Sequence, residues 1–497
     1  LGGGEHAVLV IGGFGHQGAE QEESGVVGGG FGQGVEHAGR IGQAFFTDEF
    51  FDVLELAGEL LGAEGGAAHG IFSRQKTIHE SKAKSVLPEQ AVVRLKKTAE
   101  RVLKCQDAQA LCQRHVGVAG LNRSERVRVF PHVDLLRALA ALLVVVYHLD
   151  ALGSLALRGD VFWTLPFRYG WVGVDLFLVI SGFVIMLSAA QAHDRTPKDF
   201  KWPFMQRRLR RLLPLYLLTC LIFLFLVRPE VLLRPLNQLL PVLLSHALFL
   251  QNLSHHTHGV INGVTWSLAL EMQFYLALVF TVGFWLRLGA VRTVLVLVGL
   301  AWAWRYGTTF FWVPGVAVPH LQVVYTTQLP GTLDAFGMGM ALALYVHQAK
   351  GALPAWLRPQ AVNSLAWCVV AVVLLSAAAM LLLRQTYWAH TGMVVFWRTL
   401  LAMGFAAALA AALTCPLTSG GWMRPWHYLG EISYGIYLWH FLVLLSLLQM
   451  TPLRGSSLLW AVMLGTLALA ASSWHLMEKH WVARRTGPVP LVRPDAA

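Results

Sequence analysis

Repeated apolar runs constrain this chain more than any other feature. They fall at roughly 133–150, 171–190, 209–227, 237–251, 267–287, 290–307, 326–347, 363–383, 395–415, 429–450 and 456–476. A helix of about 20 apolar residues, rising 1.5 Å per residue, covers the ~30 Å hydrocarbon core of a bilayer. Inside lipid a backbone must satisfy its own polar groups, which leaves the helix as the natural solution. The expectation is an all-α, polytopic membrane helical bundle. Composition agrees, because charged residues are 13% and hydrophobics 55% of the 497 residues. The formal charge of +11 would suggest nucleic acid in a soluble protein. Here Lys and Arg sit mostly between apolar runs, where topological bias accounts for them, so no nucleic-acid partner is expected.

Loop charges then order the spans. Residues 194–211 hold seven Lys/Arg against Asp194 and Asp199, which places this loop in the cytoplasm. Two spans precede it, so the N-terminus is expected inside, in keeping with Arg123, Arg126 and Arg128. Lys479, Arg484 and Arg485 place the tail, 481–497, inside as well. Two inside ends need an even number of crossings. The run at 237–251 is short and has Pro235 and Pro241 at its start; read as re-entrant, it leaves ten full spans. The location implied is a bacterial cytoplasmic (inner) membrane.

Residues 1–125 read differently. The first 70 residues hold 20 of the 47 glycines, with no long apolar run and no Gly-Lys-Ser/Thr phosphate loop. The first methionine is Met186. Two readings stand side by side: a true start near Val127 or Val129, or an irregular cytoplasmic extension. Mass spectrometry of the native N-terminus separates them. The membrane domain is expected over 130–480. Five cysteines without a CxxC give neither a zinc nor a disulfide pattern.

Ionisable groups at membrane depth are costly, so each is a candidate functional residue. The first span carries Asp134, Arg137 and His148. Arg137 and His148 are eleven residues apart, about three helical turns, so they share a face ~16 Å apart in depth. Snorkelling to lipid phosphates is the plain alternative for Arg137. The second span carries Asp175 near its outer end, with Gly173 and Gly182 permitting close helix contact. On the third, Arg208 and Arg211 share a face, and guanidinium forks suit phosphate; positive-inside anchoring would use the same residues. The fifth begins Trp266-Ser267 and carries Glu271 and Tyr275. Counted from the outer side, Glu271 is expected near the depth of His148, as its orienting partner. Asp334 opens the seventh span and His440 lies inside the tenth. His255, His256 and His258 lack a paired zinc-ligand run and read as a wet loop; no metal is expected.

Taken together, these motifs resemble acyltransferase family 3 membrane proteins of the O-antigen and exopolysaccharide O-acetylase type. The resemblance rests on Asp134-x-x-Arg137 followed by His148; Gly173-Val-Asp175-Leu-Phe177 with Ser181-Gly182-Phe183; Arg208-x-x-Arg211-x-x-Pro214-x-Tyr216; Trp266-Ser267-Leu-x-x-Glu271 through Tyr275; and Leu429-Gly430-x-x-Ser433-Tyr434-x-x-Tyr437-Leu438-x-His440. Met272, at an unspecified position of the fifth-span motif, and Thr332 and His480, outside the motifs, depart from the family's usual residues.

The resemblance implies transfer of an acyl group, commonly acetyl, from acyl-CoA as co-substrate to a carbohydrate or glycolipid hydroxyl, with no other cofactor. It implies Arg208 and Arg211 on the donor's phosphates and Arg137 deeper in the channel. His148 would deprotonate the acceptor hydroxyl or first take the acyl group itself, with Glu271 orienting it. Asp134, Asp175, Ser267, Tyr275 and His440 would support this set. The rival reading is a multi-pass transporter or flippase of a glycan or lipid, whose polar residues bind without chemistry. No internal repeat of the kind common in transporters is evident, and labelled acetyl transfer by purified membranes distinguishes the two.

Overall fold

The computed structural model describes residues 131–153, 164–311, 318–349, 353–384, 387, 390–416 and 421–483. The extension 1–125 and the tail from 484 onward lie outside the described residues.

Every described long element is a helix: α1 Pro131–Gly153, α2 Gly173–Arg195, α3 Lys201–Ile222, α4 Leu236–Ala247, α5 Trp266–Leu288, α6 Ala290–Thr308, α7 Val318–Thr326, α8 Leu333–Gln348, α9 Ala361–Arg384, α10 Thr391–Thr414, α11 Arg424–Glu431, α12 Ser433–Met450 and α13 Gly455–Ser473. Ten of them coincide with the ten expected spans. Nine, with their flanking turns, are long and apolar enough to cross a membrane. The tenth, α6, has 19 residues but carries Arg292 and Arg305. Helix α4 has only 12 residues and contains Pro241. At 1.5 Å per residue it reaches about 18 Å, short of the hydrocarbon core, in keeping with a segment that does not cross.

Burial sorts the helices into inner and outer. The apolar windows of α8 and α10 are each 72% buried and that of α2 is 67%, against 11% for α9. The first three form the centre of the bundle, and α9 offers most of its surface to lipid.

Two glycines set the closest approach. A side chain on Gly182 of α2 would strike the Phe336 backbone of α8, and one on Gly339 of α8 would strike the Val179 carbonyl. The obstacle is backbone in both cases, so the two helices meet without intervening side chains, as small residues allow in membrane bundles. Gly173 does the same against the Ala140 carbonyl of α1.

Helix α4 ends in a reversal that delivers the loop before α5. Leu250 N–H bonds to the Ser245 carbonyl at 2.7 Å and Phe249 N–H to the His246 carbonyl at 3.4 Å, a Schellman pair. Phe249 takes φ 56°, a left-handed position where glycine is usual. Its ring stacks on Tyr216 at 4.6 Å and its carbonyl accepts from Gln273 Nε2 at 2.8 Å. These contacts hold the strained turn in place and aim residues 250–265 into the top of the bundle.

Candidate active site

Two cavities lie in the bundle, one above the other along α1, named inner and outer for the topology that the loop charges lead one to expect. The inner has a volume of about 110 Å³ and is lined by Arg137, Ser181, Arg208, Arg211, Ser267, Glu271, Tyr275, Tyr434 and Tyr437, among others. The outer, about 80 Å³, is lined by Tyr147, His148, Trp171, Asp175, His258, Trp266, Arg398 and Phe441, with Val174 and Tyr437. The eleven-residue step from Arg137 to His148 thus carries α1 from one cavity to the other.

The inner cavity gathers three guanidinium groups and one carboxylate. Arg208 and Arg211 reach it from one face of α3, as their spacing requires. Arg208 Nη2 donates to Ser188 Oγ at 2.9 Å and its guanidinium lies over the Tyr275 ring, 5.8 Å from the centroid. Glu271 Oε1 accepts from Ser181 Oγ at 3.0 Å and also from Tyr275 Oη, one turn along the same helix. Such a site carries excess positive charge in a poorly solvated space and suits an anion with several oxygens.

Asp134 does not line this cavity. It lies 3.9 Å from Arg137 Nη1 and 3.5 Å from His427 Nδ1. Gly430 of α11 sits so close that an added side chain would meet Asp134 Cβ at 2.5 Å. Asp134 therefore docks α11 on α1 and steadies Arg137 from behind.

In the outer cavity the protons of His148 can be assigned from its partners. His148 Nδ1 lies 2.9 Å from the Val144 carbonyl and 3.3 Å from His440 Nε2, while His440 Nδ1 lies 3.2 Å from the Ile436 carbonyl. Carbonyls only accept, so each Nδ1 carries the hydrogen. His440 Nε2 then offers a lone pair to His148, and His148 Nε2 keeps its own lone pair for the cavity. An imidazole held in this tautomer, with a second histidine behind it, has the chemistry to act as a general base.

The expected pairing of His148 with Glu271 is not what the structure brings together. Glu271 lines the inner cavity, with the arginines, and His440 holds the place behind His148. The reason is depth. The first residue of α5, Trp266, already lines the outer cavity, and five more residues carry Glu271 about 7.5 Å further inward. Ser267 joins the inner group and bonds Tyr437 Oη at 2.6 Å.

Three contributors escaped the sequence reading. Arg398 of α10 donates through Nη1 to Asp175 Oδ1 at 2.7 Å and lies over the Trp171 ring at 5.3 Å, so Asp175 enters the outer cavity as half of an ion pair. Arg305 of α6, fully buried, pairs with Asp334 at 2.6 Å. Each arginine lies inside an apolar run, the signal that had selected Arg137. The third is His258. The wet-loop expectation fits the exposed His256, but His258 is buried and stacks on Trp266 with ring centroids 5.9 Å apart. Among the described residues no three His, Cys, Asp or Glu side chains gather as a metal site would need.

Burial, and then the nearby His320 and His246, hold His258 down to about 3, against an ordinary 6.5. The unfolded chain therefore takes up this proton at higher pH than the folded one, so stability falls as pH drops from 6.5 toward 3. Between pH 7 and 5 the loss from this group is about 2 kcal/mol. His258→Phe keeps the stack on Trp266 and is expected to shrink that loss, read as thermal midpoints at the two pH values in detergent. An unchanged pH dependence would remove His258 from the account.

Residues 130–477, which include every residue lining either cavity, match the model of an acyltransferase domain family. The chain belongs to that acyltransferase family. It is 29% identical over 389 residues to a Bacillus subtilis (strain 168) protein named "Putative peptidoglycan O-acetyltransferase YrhL", covering 72% of this chain and 56% of that protein. It is 25% identical over 342 residues to "O-acetyltransferase OatA" of Staphylococcus aureus (strain NCTC 8325 / PS 47), covering 65% of this chain and 51% of that protein. The chain thus spans about half the length of these relatives. No solved structure matches it significantly.

Proposed function

We propose that this family member is a membrane O-acyltransferase that moves an acyl group, most simply acetyl, from acyl-CoA to a hydroxyl of an exported or surface glycan. The observation that carries the reading is the stacking of an arginine-lined cavity beneath a histidine-lined one. The loop charges put the arginine side toward the cytoplasm, where acyl-CoA is made. Arg208 and Arg211 bind its phosphates and Arg137 follows deeper. The outer cavity takes the acceptor hydroxyl, which gives its proton to His148 Nε2 as the oxygen attacks the acyl carbon. The name of the Bacillus subtilis relative favours peptidoglycan among glycan acceptors. In this topology both ends of the chain are cytoplasmic and the membrane is the bacterial inner one.

Mass spectrometry of cell-surface glycans with and without the gene tests the acceptor, and loss of O-acetyl groups is expected. Labelled acetyl transfer by the purified protein in proteoliposomes tests the chemistry. Glycan movement without acetyl transfer would favour a carrier and defeat this proposal. The donor site has its own test. A hydrogen bond to a charged group is worth about 1.5–3 kcal/mol, so Arg208→Gln or Arg211→Gln should raise KM for acyl-CoA roughly 10- to 100-fold. The effect should grow weaker with added salt. Unchanged KM in both variants would remove the pair from the donor site.

A further inference from the structure

The two cavities do not merge. Among the described residues lining them, only Val174 and Tyr437 belong to both. Resting on the acyltransferase reading above, we infer that Val174 and Tyr437 are the gate through which the acyl group passes and that the opening between them sets which acyl groups are transferred.

Both posts are fixed in place. Val174 follows Gly173, whose backbone lies against the Ala140 carbonyl and the Val144 side chain of α1, so this end of α2 cannot back away. Tyr437 is tied on each side of the layer. Its hydroxyl donates to the Val264 carbonyl at 2.8 Å and accepts from Ser267 Oγ at 2.6 Å. Val264 lines the outer cavity and Ser267 the inner. Its ring meets Phe177 edge-on at 6.0 Å on the inner side and lies 5.9 Å from His440 on the outer. Opening the layer therefore means turning the Tyr437 ring and giving up two buried hydrogen bonds, while Val174 stays still.

The chemistry requires this passage. The thioester arrives in the arginine cavity, but the base stands in the other. The acyl group must lead through the layer until its carbonyl carbon is within reach of a hydroxyl activated by His148. The C–O bond of the ester then forms as the C–S bond breaks, the hydroxyl proton goes to His148 Nε2, and the departing thiolate takes up that proton as free CoA. Every methylene added to the acyl group must clear the same two side chains. Discrimination by one methylene in an apolar opening is typically about 10- to 200-fold.

Full-length protein in proteoliposomes, given an equimolar mixture of acetyl-, propionyl- and butyryl-CoA with a glycan acceptor, reports the selectivity as the ratio of acylated products by mass spectrometry. Val174→Ala should raise the butyryl-to-acetyl ratio about tenfold or more over wild type, and Val174→Ile should lower the propionyl-to-acetyl ratio. Tyr437→Phe, which releases both hydrogen bonds, should also move the ratio toward longer groups. A general loss of folding lowers all products together and leaves the ratios alone, so ratio changes report the gate itself. Wild-type ratios in Val174→Ala and Val174→Ile, alongside normal acetyl transfer by the native protein, would overturn the gate. Absence of any acyl transfer by the native protein would instead defeat the enzyme reading on which it rests.

Discussion

His148→Ala is expected to cut acyl transfer by about 10²- to 10⁴-fold while acyl-CoA binding and the thermal midpoint stay near the native values. The separation follows from placement. The arginines proposed to take the donor line one cavity and His148 lines the other. The imidazole lines a cavity wall, so its removal enlarges an existing space and costs little folding stability. His440→Gln gives a finer reading. It leaves His148 Nε2 in position and leaves the Val144 carbonyl on Nδ1, but takes away the lone pair at 3.3 Å that steadies the imidazolium formed in the reaction. A smaller loss of kcat is expected, with KM for acyl-CoA unchanged. His440 then acts as a positioning residue through His148. Wild-type transfer in His148→Ala would refute the assignment, and a raised donor KM in His440→Gln would mean that the two cavities are not independent.

How much of this was legible depends on how far apart in the chain the partners lie. The spans could be read because each is a local property of about 20 consecutive residues. Arg208 and Arg211 could be read as a pair because three residues on one helix fix a shared face. Gly173 and Gly182 marked close approaches, and the structure places backbone of α1 and α8 against them. The His148–His440 pair spans 292 residues and Asp175–Arg398 spans 223. Nothing local specifies which of several buried groups will meet across such distances, so His440 stood only as a support and Arg398 was passed over. The Glu271 assignment erred for another reason. Counting depth from the end of a hydrophobic run treats every helix as starting in one plane. The loop before α5, turned inward by the Phe249 reversal, starts this helix already at the outer cavity, and Glu271 ends up one storey lower.

Asp334→Ala should destabilise the protein by about 3–5 kcal/mol, because it leaves the fully buried Arg305 guanidinium without its counter-charge. Asp334 Oδ2 accepts from Arg305 Nη2 and from Thr399 Oγ1, both at 2.6 Å. Arg305 Nη2 also reaches Thr399 Oγ1 at 2.9 Å. Arg305 Nε and Nη1 are buried without a hydrogen-bond partner among the described residues, so little else offsets the charge. With total stabilities of about 5–15 kcal/mol common, the variant should lose a large part of its folded population. Detergent-solubilised thermal unfolding and gel-filtration behaviour measure this, and a native midpoint would refute it. The double change Arg305→Met with Asp334→Leu removes both charges and should recover most of the lost stability, as apolar replacement of buried ion pairs often does. Activity should recover less. Thr399, which binds Asp334, is the neighbour of Arg398, which pairs with Asp175 at the wall of the His148 cavity. The buried pair thus joins α6, α8 and α10 at one point and sets where α10 presents Arg398. A double variant that is stable yet slow in transfer would separate these two roles, since stability asks only that the charges be balanced or absent, whereas the outer cavity asks that α10 sit in one particular register.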